Sequence, residues 1–81
     1  MNLAEWRKRE GLSCDEVARR LNITAARGGS SVWNWETGRA RADADIIERI
    51  EQLTGGEVSP LDMHRTRLAW LRHSRGEGAA A

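Results

Sequence analysis

The sequence predicts an all-α domain of five helices, and three observations carry that reading. Helix formers dominate its 81 residues, and Pro60 is the single proline. Apolar residues recur at three- and four-residue spacing, with no strand-like alternation beyond a few positions. Ser, Asn, Asp and Gly stand where those helices would begin and end. A chain of this length holds one domain with a small core. The expected domain is residues 1–74, and the tail 75–81, RGEGAAA, is expected to be disordered.

The first helix is expected over residues 2–10, capped by Asn2, with Leu3 and Trp6 on its apolar side and Gly11 ending it. The second opens at Ser13. Its hydroxyl can accept a first-turn N–H while Glu16 reaches back to the Ser13 N–H, a capping box. Val17, Ala18 and Leu21 form its stripe, and Ala18 is small enough to let a crossing helix come close. Asn22 tolerates the left-handed conformation that stops a helix. Ile23 tucks under the turn, and Thr24 is the expected N-cap of the next helix.

The third helix is clearest at its end, where Val32 and Trp35 share a buried face and Gly38 is the stop. Adjacent glycines weaken a helix, so Ala25–Gly29 is expected to form a lengthened turn, or a helix start that needs a ligand to form. Asp43 caps a fourth helix. Ile46, Ile47, Ile50 and Leu53 form its core stripe, with Asp45, Glu48, Arg49 and Glu51 facing solvent. Gly55 and Gly56 end it, and Val58 returns to the core.

Ser59 and Pro60 open the fifth helix, about 60–74. Leu61, Leu68 and Leu71 can share one face, while Met63 and Trp70 point elsewhere. Two apolar faces need two partners: the domain and a second copy of the chain. The alternative is one broad face on a small core. Met63, Trp70 and Leu71 are the candidate dimer contacts.

Residues 13–41 thus read as two short helices with a polar connection, then a glycine stop and two arginines. That is the order of a helix-turn-helix, which lays its second helix in the DNA major groove. Opposite Val32 and Trp35 lie Ser30, Ser31, Trp33 and Asn34. Ser and Asn hydrogen-bond base edges, Asn pairing well with adenine. Arg39 and Arg41 come next, where they can bind phosphate. Arg27 can reach a guanine or a phosphate, or remain a solvated loop arginine. Trp33 can meet a sugar or a thymine methyl, or cover the glycine-rich turn; the second is preferred, because a large exposed Trp is costly.

The net charge of +1 is unevenly divided: +4 over residues 17–42 and −5 over residues 43–62. Positive charge concentrates on the segment expected to face DNA, where non-specific affinity needs it. The lone Cys14 cannot form an internal disulfide and fits a reducing cytoplasm. No segment is apolar enough to span a membrane, and the N-terminus has no signal-peptide core. His64 and His73 have no Cys or acidic cluster at ligand spacing, so no metal is expected. Gly28-Gly29 lacks the strand and following Lys of a phosphate-binding loop. With no nucleophile beside a His, neither catalysis nor a cofactor is expected.

Four motifs stand in a telling order: GLS at 11–13, EVARRLNIT at 16–24, SSVWNWETGRAR at 30–41 and IIERIEQLTGGEVSPLDM at 46–63. In that order the chain resembles the Cro/CI-type (XRE-type) helix-turn-helix of phage repressors and many small bacterial regulators, over most of residues 1–63. The resemblance implies a compact lambda-repressor-like five-helix bundle. It implies a cytoplasmic homodimer on double-stranded DNA, acting as a repressor at an inverted repeat. It pairs Arg7 with Glu36, tying the first helix to the third, and adds Ser13 and Thr24 to the phosphate contacts. It often places a polar phosphate contact at the position of Cys14, a contact weakened here. An antitoxin or adaptor that grips a protein with the same fold is the alternative, motivated by the two-faced fifth helix. The chain departs from the family between Ile23 and Val32, which are nine apart where about five is usual.

Overall fold

The computed structural model describes residues 1–23 and 28–74. The helices are α1 (Leu3–Arg9), α2 (Cys14–Arg20), α3 (Gly28–Thr37), α4 (Ala44–Leu53) and α5 (Pro60–Ser74). No strand occurs among the described residues, so the fold is all-α. The expectations for Thr24, Arg27 and the tail 75–81 lie outside those residues.

Local chemistry sets the helix ends. Asn2 and Ser13 each form a full capping box, with Glu5 and Glu16 as the returning side chains. Asn22 lies just after α2 at φ 60°, the left-handed conformation that ends it. Ser59 accepts from the Asp62 N–H at 3.2 Å, and Asp62 accepts from the Ser59 N–H at 2.9 Å. Asp43 occupies the N-cap of α4, but its side chain makes no capping bond, contrary to expectation. Its negative charge at the start of the helix dipole is what remains. Arg49, expected to face solvent alone, donates to the Leu21 carbonyl at 3.1 Å and ties α4 to the end of α2.

The core joins Leu3, Trp6, Val17, Ala18, Leu21, Val32, Ala42, Ile50, Val58 and Met63. Met63, a candidate dimer contact, is buried in its own domain, 7% exposed. The turn that buries Val58 brings the first turn of α5 onto the core, and Met63 goes in with it. Leu61, grouped with Leu68 and Leu71 on one face, is 52% exposed. Buried Thr54 organises that turn, donating to the Ile50 carbonyl at 2.8 Å and accepting from the Val58 N–H at 3.1 Å.

Three carboxylates sit below their ordinary values. The Ser13 backbone N–H lowers Glu16, the Arg9 guanidinium lowers Glu57, and the Ser59 backbone N–H lowers Asp62. Each binds its proton less readily folded than unfolded. Their contribution is complete above the ordinary values of 4.5 for Glu and 3.8 for Asp, and is lost as pH falls through the lower folded values. The urea midpoint should hold from pH 7 to about 5 and then decline, less steeply in Asp62→Asn. A midpoint that rises on acidification would contradict these contacts.

Candidate nucleic-acid interface

The interface is built on the crossing of α2 and α3. Gly28 and Gly29 open α3, so of the two expectations for them the helix start is the one seen, not the lengthened turn. A Cβ on Gly28 would stand 2.9 Å from the Ala18 Cβ and 3.4 Å from the Ile23 Cγ2. One on Gly29 would run into the Asp15 carboxylate. Glycine costs each helical position about 1 kcal/mol relative to alanine. The close approach it permits offsets that loss here. Ala18 is the sequence signal for this crossing, and the glycines are its other half.

Arg7 fixes α3 from behind. Its Nε donates to Glu36 at 2.5 Å, its Nη2 to the same carboxylate at 3.1 Å and its Nη1 to the Leu12 carbonyl at 3.0 Å. The Glu36 hydrogen bonds raise the Arg7 pKa against a smaller opposing effect of burial. Cys14 is turned toward the same pair, its Sγ 3.8 Å from Glu36, and burial pushes its thiol upward. Cys14 is half-buried, and its thiol is engaged with that carboxylate.

The helical period then decides what faces out. Val32 is fully buried and Trp35 packs half-buried against the core. Ser30 and Trp33 are exposed, while Ser31 and Asn34 are half-buried. Among the described residues the Asn34 carboxamide has no hydrogen-bond partner; its backbone carbonyl accepts from the Thr37 hydroxyl. Ser30, Trp33 and Asn34 line one open crevice with Gly29, Ser13, Cys14 and Asp15. Trp33 is 49% exposed on its wall, beside Gly29; the reading of its ring as a cover for the glycine-rich turn falls on Ala25–Arg27 and lies outside the described residues. With positions 32 and 35 committed to the core, position 33 is carried outward.

Ser13 lies beside this crevice. Its N–H is taken by Glu16 at 2.9 Å and its oxygen accepts from the Glu16 N–H at 3.1 Å, leaving the hydroxyl proton to donate outward. Asp15 puts a carboxylate on the same surface, a residue sequence reasoning missed because nothing in its spacing marks it. Arg39 and Arg41 are both exposed beyond α3. Arg67 of α5 holds the segment between them and the helix, donating to the Gly38 carbonyl at 2.8 Å and the Arg39 carbonyl at 2.9 Å. Its guanidinium also lies 5.5 Å from the Trp70 ring centroid. Trp70 and Leu71 are half-buried on the last turns of α5.

A short helix followed by a second that crosses it and shows a polar outer face is the arrangement of a helix-turn-helix protein. A family model described as a helix-turn-helix domain matches residues 2–62, from the start of α1 into the first turn of α5. The chain belongs to that family, consistent with the Cro/CI-type motifs of its sequence. No curated protein and no solved structure matches it. No helix among the described residues is long and apolar enough to cross a membrane.

Proposed function

We propose that this protein is a sequence-specific transcription regulator of the cytoplasm, a repressor that binds an inverted-repeat operator as a homodimer. The observation that supports this best is the outer face of α3, where Ser30, Trp33 and Asn34 share a crevice. Asn34 and the two serines read base edges, with Asn34 on an adenine and Trp33 against a sugar or thymine methyl. The Ser13 hydroxyl, Arg39 and Arg41 take phosphates. The unit is residues 1–74, with Trp70 and Leu71 at the end of α5 as the dimer contacts. Half-sites then lie about one turn, roughly 34 Å, apart.

A gel shift on the gene's own upstream region tests this, with random duplex as competitor. Tight, salt-sensitive, competitor-resistant binding is the expected result. Arg41→Ala should weaken all duplexes alike and lower the salt slope by about one. Asn34→Ala should instead cost about 1–3 kcal/mol on the preferred site only. Equal loss on preferred and random duplex for Asn34→Ala would remove its reading role.

A further inference from the structure

A second groove, sharing no lining residue with the crevice, runs between the end of α3, the start of α4 and α5. Trp35, Ala42, Ile47, Leu68 and Leu71 form its apolar lining. Four of these, Trp35, Ile47, Leu68 and Leu71, are left only half-buried by the chain's own packing. The cationic side chains that line it are Arg41 and Arg67, beside the His64 imidazole and with no carboxylate in the lining. Among the described residues neither arginine is paired with an acid; the ion pairs lie at Met1, Arg7 and Arg9. Arg67 is anchored by the carbonyls of Gly38 and Arg39, so its position is fixed. Arg41 is exposed and can turn either to the groove or to a phosphate.

We propose that this groove docks an amphipathic helix of another protein, apolar on one side and flanked by acidic residues, and that this partner competes with DNA for Arg41. An apolar trough between helices receives a helix through anchors at i, i+3 or i+4, and i+7. The basic lining selects the flanks of that helix, since matched charge favours the encounter and like charge opposes it. Like charge disfavours two such grooves face to face, Arg41 and Arg67 against Arg41 and Arg67, and a helix seated here would displace the dimer contact proposed for Leu71. The chain's own acidic stretch, residues 43–62, is no substitute, because α4 already turns its apolar stripe into this core.

The docking stands on the groove alone. The competition rests on the proposed phosphate role of Arg41. If both hold, linkage requires that partner and DNA weaken each other by the same factor.

The test uses the full chain and a labelled synthetic helix of about 16 residues, with Leu at anchor spacing and Glu on both flanks. Two controls are a scrambled peptide of the same composition and one with Lys in place of Glu. Fluorescence anisotropy without DNA should show the acidic helix binding at least about tenfold more tightly than either control. Leu68→Asp and Arg41→Ala should each weaken it. Arg41 is exposed, so the second variant does not depend on a core that tolerates change. Adding the peptide should raise the Kd for the preferred duplex by the factor that duplex raises the Kd for the peptide.

Equal binding of the scrambled peptide would reduce the effect to a basic surface and overturn the proposal, as would no binding by the acidic helix. A dimer in sedimentation that Leu68→Asp dissociates and Trp70→Ala leaves intact would show a second copy in the groove, and overturn it too. Peptide binding by a chain that binds no duplex sinks the DNA reading and the competition but leaves the docking. Duplex binding with no peptide binding does the reverse.

Discussion

Glu36→Ala is expected to destabilise the domain by about 3–5 kcal/mol, the cost of stranding one member of a buried ion pair. The Glu36 side chain is 5% exposed and that of Arg7 18%. Without the carboxylate, Arg7 keeps only the Leu12 carbonyl for a charge that burial already disfavours. A domain of this size has a small core and few kcal/mol to lose, so a large share of the variant should be unfolded at 25 °C. Arg7→Ala should act similarly. The double variant Arg7→Met, Glu36→Leu should recover most of the loss, because no charge is left buried. Glu57→Ala is the control: its pair with Arg9 is nearly half exposed on both sides, and surface pairs contribute about 0–1 kcal/mol. Urea melts of the four proteins check the order. Equal effects of Glu36→Ala and Glu57→Ala would show that the Arg7 pair is not closed in solution.

Gly38→Ala should be comparably severe, at about 2–5 kcal/mol, from two separate causes. Gly38 has φ +83°, where a side chain costs about 1–2 kcal/mol. A Cβ there would also collide with the Thr66 carbonyl oxygen and stand 2.8 Å from the Trp70 Cβ. Overpacking of this kind adds about 1–3 kcal/mol, and a backbone carbonyl cannot rotate away as a side chain can. Gly38→Asn separates the causes. Asn tolerates positive φ but brings the same Cβ, so it should remain costly. A mild Gly38→Asn would mean that α5 lies farther from the end of α3 than the 2.8 Å to Arg67 indicates. Because Arg39 and Arg41 leave from this point, surviving protein should also bind duplex more weakly.

What the sequence made legible was whatever one helix decides by itself. Asn2, Ser13, Asn22 and Gly38 mark ends through their own backbone and cap chemistry. Val17, Leu21, Val32 and Ile50 are set by periodicity and are buried. What stayed hidden depends on which helix passes where. Gly28 and Gly29 look like breakers until Ala18 and Asp15 are seen beside them. Met63 lies inside and Leu61 outside because the turn through Val58 sets the phase of α5. Arg67 reaches carbonyls 28 and 29 residues away, a contact without local signature. At the interface, periodicity predicted an outward side for α3. The degree of exposure of Trp33, and the presence of Asp15 on the same crevice, required the packed structure.

Base reading by the polar side of α3 is the central claim. Selection of bound sequences from a random duplex pool, run in parallel for the wild type and Asn34→Ala, tests it most directly. The predicted outcome is an enriched inverted repeat with half-sites about one helical turn apart, from which Asn34→Ala loses preference at one base pair per half-site. A wild-type pool with no enrichment, or an enriched motif that Asn34→Ala leaves intact at every position, would contradict it.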